Sequence, residues 1–78
     1  VITMQADAVL DARGLLCPMP IVKLSQKIKT MDSGQVLEVQ ADDKGAAVDI
    51  PAWCQKTGNI YLGSEAGSNY TSYYVKKN

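Results

Sequence analysis

The segment Leu16-Cys17-Pro18-Met19-Pro20 leaves this chain little freedom. A proline inside a helix removes a hydrogen bond and clashes with the preceding turn, whereas at the first helical position its missing N–H would have had no partner. Two prolines flanking one residue therefore predict a helix start. Cys17 falls at the N-cap, Pro18 at the first helical position and Pro20 at the third, still within the turn whose N–H groups are free. From there the helix is expected to reach Met31. Ile21, Leu24, Ile28 and Met31 follow at steps of three and four, with Val22 beside the stripe. Asp32-Ser33-Gly34 ends it, with Gly34 suited to a left-handed C-terminal position.

The rest of the chain is read outward from that helix. Ala6 to Asp11 is a short strand with Ala6, Ala8 and Leu10 on one face, followed by an Arg13-Gly14 turn. In Gln35 to Ala41, Leu37, Val39 and Ala41 alternate with Val36, Glu38 and Gln40, the pattern of a half-buried strand. Asp42-Asp43 offers an N-cap for a second helix from about Lys44 to Thr57, with Ala47, Ile50 and Cys54 in register and Trp53 beside them. Pro51 lies inside it, which predicts a kink or two short helices meeting near Asp49-Ile50. Ile60 to Leu62 is a strand, Glu65 to Asn69 a turn and Tyr70 to Lys76 the last strand, with Tyr73 and Val75 facing inward. The order β-α-β-α-β-β gives a four-stranded mixed sheet. Two helices can cover only one of its faces, so an α+β fold is expected: a two-layer α/β sandwich with an open outer face.

Composition narrows the chemistry. Seventy-eight residues make one domain spanning 1–78, with a thin core, loose residues 1–5 and no room for a deep substrate cavity. There is no His, which removes Ser-His-Asp and Cys-His catalysis and any His-ligated zinc; two Cys alone cannot build a four-Cys metal site. Eight basic residues balance eight acidic ones, so the zero net charge argues against direct nucleic-acid binding. No apolar run approaches a membrane span, no signal peptide is visible, and two cysteines are too few for a disulfide scaffold. A cytoplasmic protein with reduced thiols is expected. A chain beginning with Val1 has lost its initiator Met or is a piece of a longer protein.

Cys17 is the candidate for chemistry. A cysteine at the positive end of a helix dipole has a depressed pKa, and the thiolate is the nucleophile. With Pro18 and Pro20 lacking N–H groups, the remaining first-turn donors belong to Met19 and Ile21. Gly14 shapes the preceding turn. Arg13 is either a solvated turn residue or a contact for the sulfur and an incoming partner, and its place favours the second. Asp11 is read as the acceptor that holds the Arg13-Gly14 turn. No general base adjoins Cys17, so acyl transfer is disfavoured, whereas sulfur exchange needs only a good thiolate. The opposing reading makes Cys17 a small buried apolar residue. Cys54, on an apolar stripe, is read as core in preference to a resolving thiol. Lys23, Lys27 and Lys29 form a solvated face by default, and the same face could dock an acidic partner or phosphates. Tyr61, Tyr70, Tyr73 and Tyr74 read as sheet packing, since no RNA-binding motif accompanies them.

Asp11-Ala12-Arg13-Gly14-Leu15-Leu16-Cys17-Pro18-Met19-Pro20 resembles the Cys-Pro-x-Pro signature of the TusA/SirA-like sulfur carriers. Asp42-Asp43 and Asp49-Ile50-Pro51-Ala52-Trp53-Cys54 resemble that family's second-helix segment. The resemblance covers nearly the whole chain. It implies a two-layer sandwich like the C-terminal domain of translation initiation factor three. It also implies a sulfur carrier or sulfurtransferase, not an enzyme with a small-molecule pocket, in which Cys17 bears the sulfane sulfur as a persulfide.

Arg13, Gly14, Pro18, Met19 and Pro20 form the sulfur's surroundings in this reading, and Lys23 and Lys27 meet partners. The implied partners are a persulfide donor, such as a cysteine desulfurase or rhodanese, and an acceptor sulfur-relay protein or thiolation enzyme. No cofactor or metal is required. The family serves tRNA thiolation, molybdenum-cofactor biosynthesis and sulfur metabolism, and the motif does not separate these. The alternative is a regulatory or nucleic-acid-binding module using the lysine face and the open sheet. A Cys17–Cys54 redox pair is a third possibility.

Overall fold

The computed structural model describes residues 6–15 and 19–78. The strands are β1 (Ala8–Asp11), β2 (Val36–Ala41), β3 (Ile60–Ala66) and β4 (Thr71–Lys76), and the helices are α1 (Met19–Ile28) and α2 (Ala46–Thr57). They form the expected α+β sandwich. The strand order is β1-β2-β4-β3, with β1 parallel to β2 and β4 antiparallel to both neighbours. The parallel pair requires a crossover, and α1 supplies it.

Register explains the core. Ala8, Leu37, Val75 and Tyr61 lie side by side across the four strands, and the next inner row holds Leu10, Val39 and Tyr73. These residues pack with Leu24 and Ile28 of α1 and Ile50 and Cys54 of α2 in one cluster, so both helices cover the same face. Leu24, Leu37, Ile50, Val39 and Val75 are fully buried. Each such side chain contributes ~1.5–3 kcal/mol by leaving water. The inward placement of Tyr73 and Val75 and the burial of Cys54 match the sequence reading.

Three local expectations are corrected. The first helix ends at Ile28, and Thr30 and Met31 make tight bonds three residues back, to the carbonyls of Lys27 and Ile28. Gly34, at φ 89°, then serves the turn into β2 instead of the helix end, and its N–H bonds the Lys77 carbonyl. The residue capping α2 is Gly45, with no side-chain cap, so Asp42-Asp43 does not play the expected N-cap role. Asp43 accepts the Gly45 N–H at 3.3 Å, while Asp42 points elsewhere. Finally, α2 is one helix through Pro51. Ala46, Ile50 and Cys54, buried at intervals of four, hold the segment to the core on both sides of the proline.

The hairpin is longer than expected, because β3 continues through Gly63 to Ala66. A bulge between Tyr61 and Gly63 inserts Leu62 as an unpaired residue, with Gly63 at φ 135°. On the outer face Gly63 opposes Tyr74. Tyr74 and Ser72 are only 4% and 7% exposed, so the outer face is closed at its centre and open at Val9 and Ile60. Glu38 accepts from Gln40 Nε2 at 2.8 Å and from Ser72 Oγ at 3.2 Å.

The start and end of the described chain meet at one pole of the sheet. The Asp7 N–H donates to the Val36 carbonyl, and the Asp7 carboxylate accepts the Val36 N–H. Lys77 N–H bonds the Gln35 carbonyl, and its Nζ reaches the Met31 carbonyl.

Candidate functional site

The opposite pole carries the candidate site. The β1–β2 ladder is prolonged by Ala12, whose N–H donates to the Gln40 carbonyl at 2.8 Å. The chain then turns through Ala12-Arg13-Gly14-Leu15, closed by a bond from Leu15 N–H to the Ala12 carbonyl at 3.3 Å. Gly14 sits third in this turn at φ 78°, a backbone that favours glycine. Ala12 is fully buried, while Arg13 and Gly14 are exposed.

Two carboxylates organise the turn. Asp11 accepts the Arg13 N–H at 3.1 Å, as expected, and also takes its guanidinium through Nε at 2.9 Å and Nη2 at 3.1 Å. These bonds hold the Asp11 carboxyl below its ordinary value. The Arg13 guanidinium also lies over the Tyr70 ring, 5.3 Å from its centre. Asp42 reaches across from the end of β2 and accepts the Gly14 N–H with both oxygens at 3.0 Å. The N–H groups of residues 12 to 15 thus all have acceptors, and none is left for an anion.

Cys17 and Pro18 lie outside the described residues, so the N-cap and first-position assignments do as well. The described helix begins at Met19, which is 41% exposed, and Pro20 is buried. No carboxylate lies in the first turn of α1. The positive helix end is therefore not neutralised from within the helix. Met19, Lys23 and Lys27 follow at steps of four along one line, with Lys23 exposed and Lys27 half-buried, and exposed Val22 lies beside them.

Cys54 is a free, buried thiol, and burial pushes it up to about 11. Among the described residues no cluster of acidic or cysteine ligands could hold a metal, and no helix is long and apolar enough to cross a membrane.

An open groove of about 390 Å³ runs from Asp42 past Lys44 and Ala47 to Asn69, Tyr70 and Thr71. The sequence reading missed Asp42 and Tyr70 at this pole. It assigned Asp42 to a helix cap and Tyr70 to packing. The available signal was the parallel β1–β2 pairing, which brings the residues after both strands together.

The fold is a small two-layer sandwich, and in the sequence its first described helix directly follows a Cys-Pro segment. The chain belongs to the TusA sulfurtransferase family, whose model matches residues 8–77. It is 47% identical over 74 residues to Bacillus subtilis YrkF, covering 95% of this chain but only 40% of YrkF. It is 39% identical over 71 residues to the sulfur carrier protein TusA of Allochromatium vinosum, covering 91% of this chain and 93% of that protein. The crystal structure of a SirA-like protein from Desulfitobacterium hafniense shares the fold, with a TM-score of 0.77 at 17% identity, over 88% of this chain and 95% of that one.

Proposed function

We propose that the protein is a sulfur carrier in which Cys17 receives and releases sulfane sulfur. The Cys17 thiolate attacks the terminal sulfur of a donor persulfide, R–S–SH. The donor S–S bond breaks, R–S⁻ leaves, and Cys17–S–SH remains. An acceptor nucleophile then takes the outer sulfur and returns the Cys17 thiolate. The persulfide of a cysteine desulfurase or rhodanese suits the first step; a relay protein or thiolation enzyme suits the second. The exchange is redox-balanced within itself and suits a compartment that keeps thiols reduced.

The observation that carries this reading is the contrast between the two cysteines. Cys54 is buried with a raised pKa, which leaves Cys17, in its Cys-Pro-Met-Pro segment at the head of α1, as the thiol for chemistry. In this reading Met19 and Ile21 supply the first-turn N–H donors to the sulfur anion, and Pro18 and Pro20 stiffen the approach. Lys23 and Lys27, with exposed Met19 and Val22, form the face that meets acidic partners. The nucleic-acid alternative is weakened by Asp11, Glu38 and Glu65, which share the outer sheet face that phosphates would have to approach.

The test is to incubate the protein with a cysteine desulfurase and cysteine and to weigh it by mass spectrometry. One added sulfur is expected, and none on Cys17→Ser protein. Equal loading of that variant would remove Cys17 from the role.

A further inference from the structure

We infer that Asp42 is a positioning residue for sulfur transfer, holding through Gly14 the turn from which the chain runs to Cys17. The inference rests on the carrier reading for its consequence, but its geometry stands independently. Asp42 reaches Gly14 across a separation of 28 residues, with both oxygens at 3.0 Å. It is not spent on α2, which is capped by Gly45 without any side-chain cap bond.

The turn is anchored at its ends by buried Ala12 and by Leu15 against the core, and Arg13 lies over Tyr70, but its closing bond is long at 3.3 Å and the Asp11–Arg13 bonds are made within the same loop. Asp42 is the contact that fixes the exposed Gly14 to the neighbouring strand end. Gly14 has nothing within 4 Å of the place a Cβ would occupy, so packing does not hold it either. With Asp42 in place Gly14 is tied to the end of β2, and Cys17 is third in sequence after it.

Charge and position predict opposite results. A carboxylate acting only by its charge raises a nearby thiol pKa, so Asp42→Asn and Asp42→Ala would lower it alike. A carboxylate acting as an acceptor is replaced in part by the amide oxygen of Asn, but not by Ala.

The experiment measures the alkylation rate of Cys17 against pH, and the single-turnover transfer of sulfur from a desulfurase. It does so for wild type, Asp42→Asn, Asp42→Ala and Gly14→Ala, each well below its own Tm. Asp42→Ala is expected to transfer sulfur about fivefold to tenfold more slowly than Asp42→Asn, the loss of the one neutral hydrogen bond that the Asn amide oxygen retains. Its alkylation midpoint should lie above that of Asp42→Asn. Gly14→Ala perturbs the same turn from the other side, through its positive φ alone, and should slow transfer in the same direction. Equal rates and midpoints in Asp42→Asn and Asp42→Ala, or wild-type transfer by Gly14→Ala, would overturn the inference. If wild type itself takes up no sulfur, the carrier reading fails, while the alkylation midpoints still judge the positioning role.

Discussion

Removing Cys17 isolates the chemistry of Cys54, and the structure sets the size of the effect. In Cys17→Ser protein the remaining thiol is 1% exposed with a pKa of about 11. Around pH 8 about one such group in a thousand is a thiolate, against about one in four for an ordinary thiol near 8.5. That alone slows attack on a disulfide reagent by roughly 250-fold. If the buried sulfur instead reacts only when the chain opens, where its pKa is ordinary, ~5 kcal/mol of global stability by itself slows it by a factor of roughly 5 × 10³. The native variant should therefore react with a chromogenic aromatic disulfide at least about 10²-fold more slowly than the same protein unfolded in guanidinium. Wild type should show one fast thiol when native and two when unfolded. A native Cys17→Ser rate within about tenfold of the unfolded rate would refute the assignment of Cys54 to the core.

Two further outcomes test the packing. Leu24→Ala empties a fully buried site and should cost ~2–5 kcal/mol, a drop in Tm of more than about 10 °C by calorimetry, whereas Val48→Ala, at a 71% exposed position, should shift Tm by only about 2 °C. Stability should also fall in alkali. Burial raises the folded pKa values of Cys54, Tyr73 and Tyr74, so their contribution is complete below the unfolded values and is lost as pH rises through the folded ones. Urea midpoints should decline above pH 9, and a midpoint flat to pH 11 would count against those burials.

The fold was legible where the signal was local or periodic. Leu37, Val39 and Ala41 announced a half-buried strand, and Ile21, Leu24 and Ile28 announced a helix face, because burial imposes those spacings directly. The reading failed where a distant partner decided. Asp42 looks like a helix cap in its own neighbourhood, but its acceptor role depends on Gly14 being brought alongside by parallel pairing. Pro51 obeys the local rule for a helix breaker, and tertiary packing of Ile50 and Cys54 overrides it. Gly63-Ser64-Glu65 shows no apolar alternation, so pairing with β4 through the bulge left no mark in the sequence. At the site, the Asp11–Arg13 contact was legible two residues apart, whereas the stack of Arg13 on Tyr70 was not.

The meeting of Asp7 with Val36 and of Lys77 with Gln35 has a mechanical consequence. The strands carry the polypeptide away from that pole to Asp42 and the Ala12–Leu15 turn, a distance of ~15–20 Å for strands of this length. Any leash attached at Asp7 or Lys77 therefore leaves from the rear of the molecule. A tether there leaves the pole of Asp42 and the Ala12–Leu15 turn clear of it, like a swab held by its stick, whether the domain stands alone or is one station on a longer polypeptide.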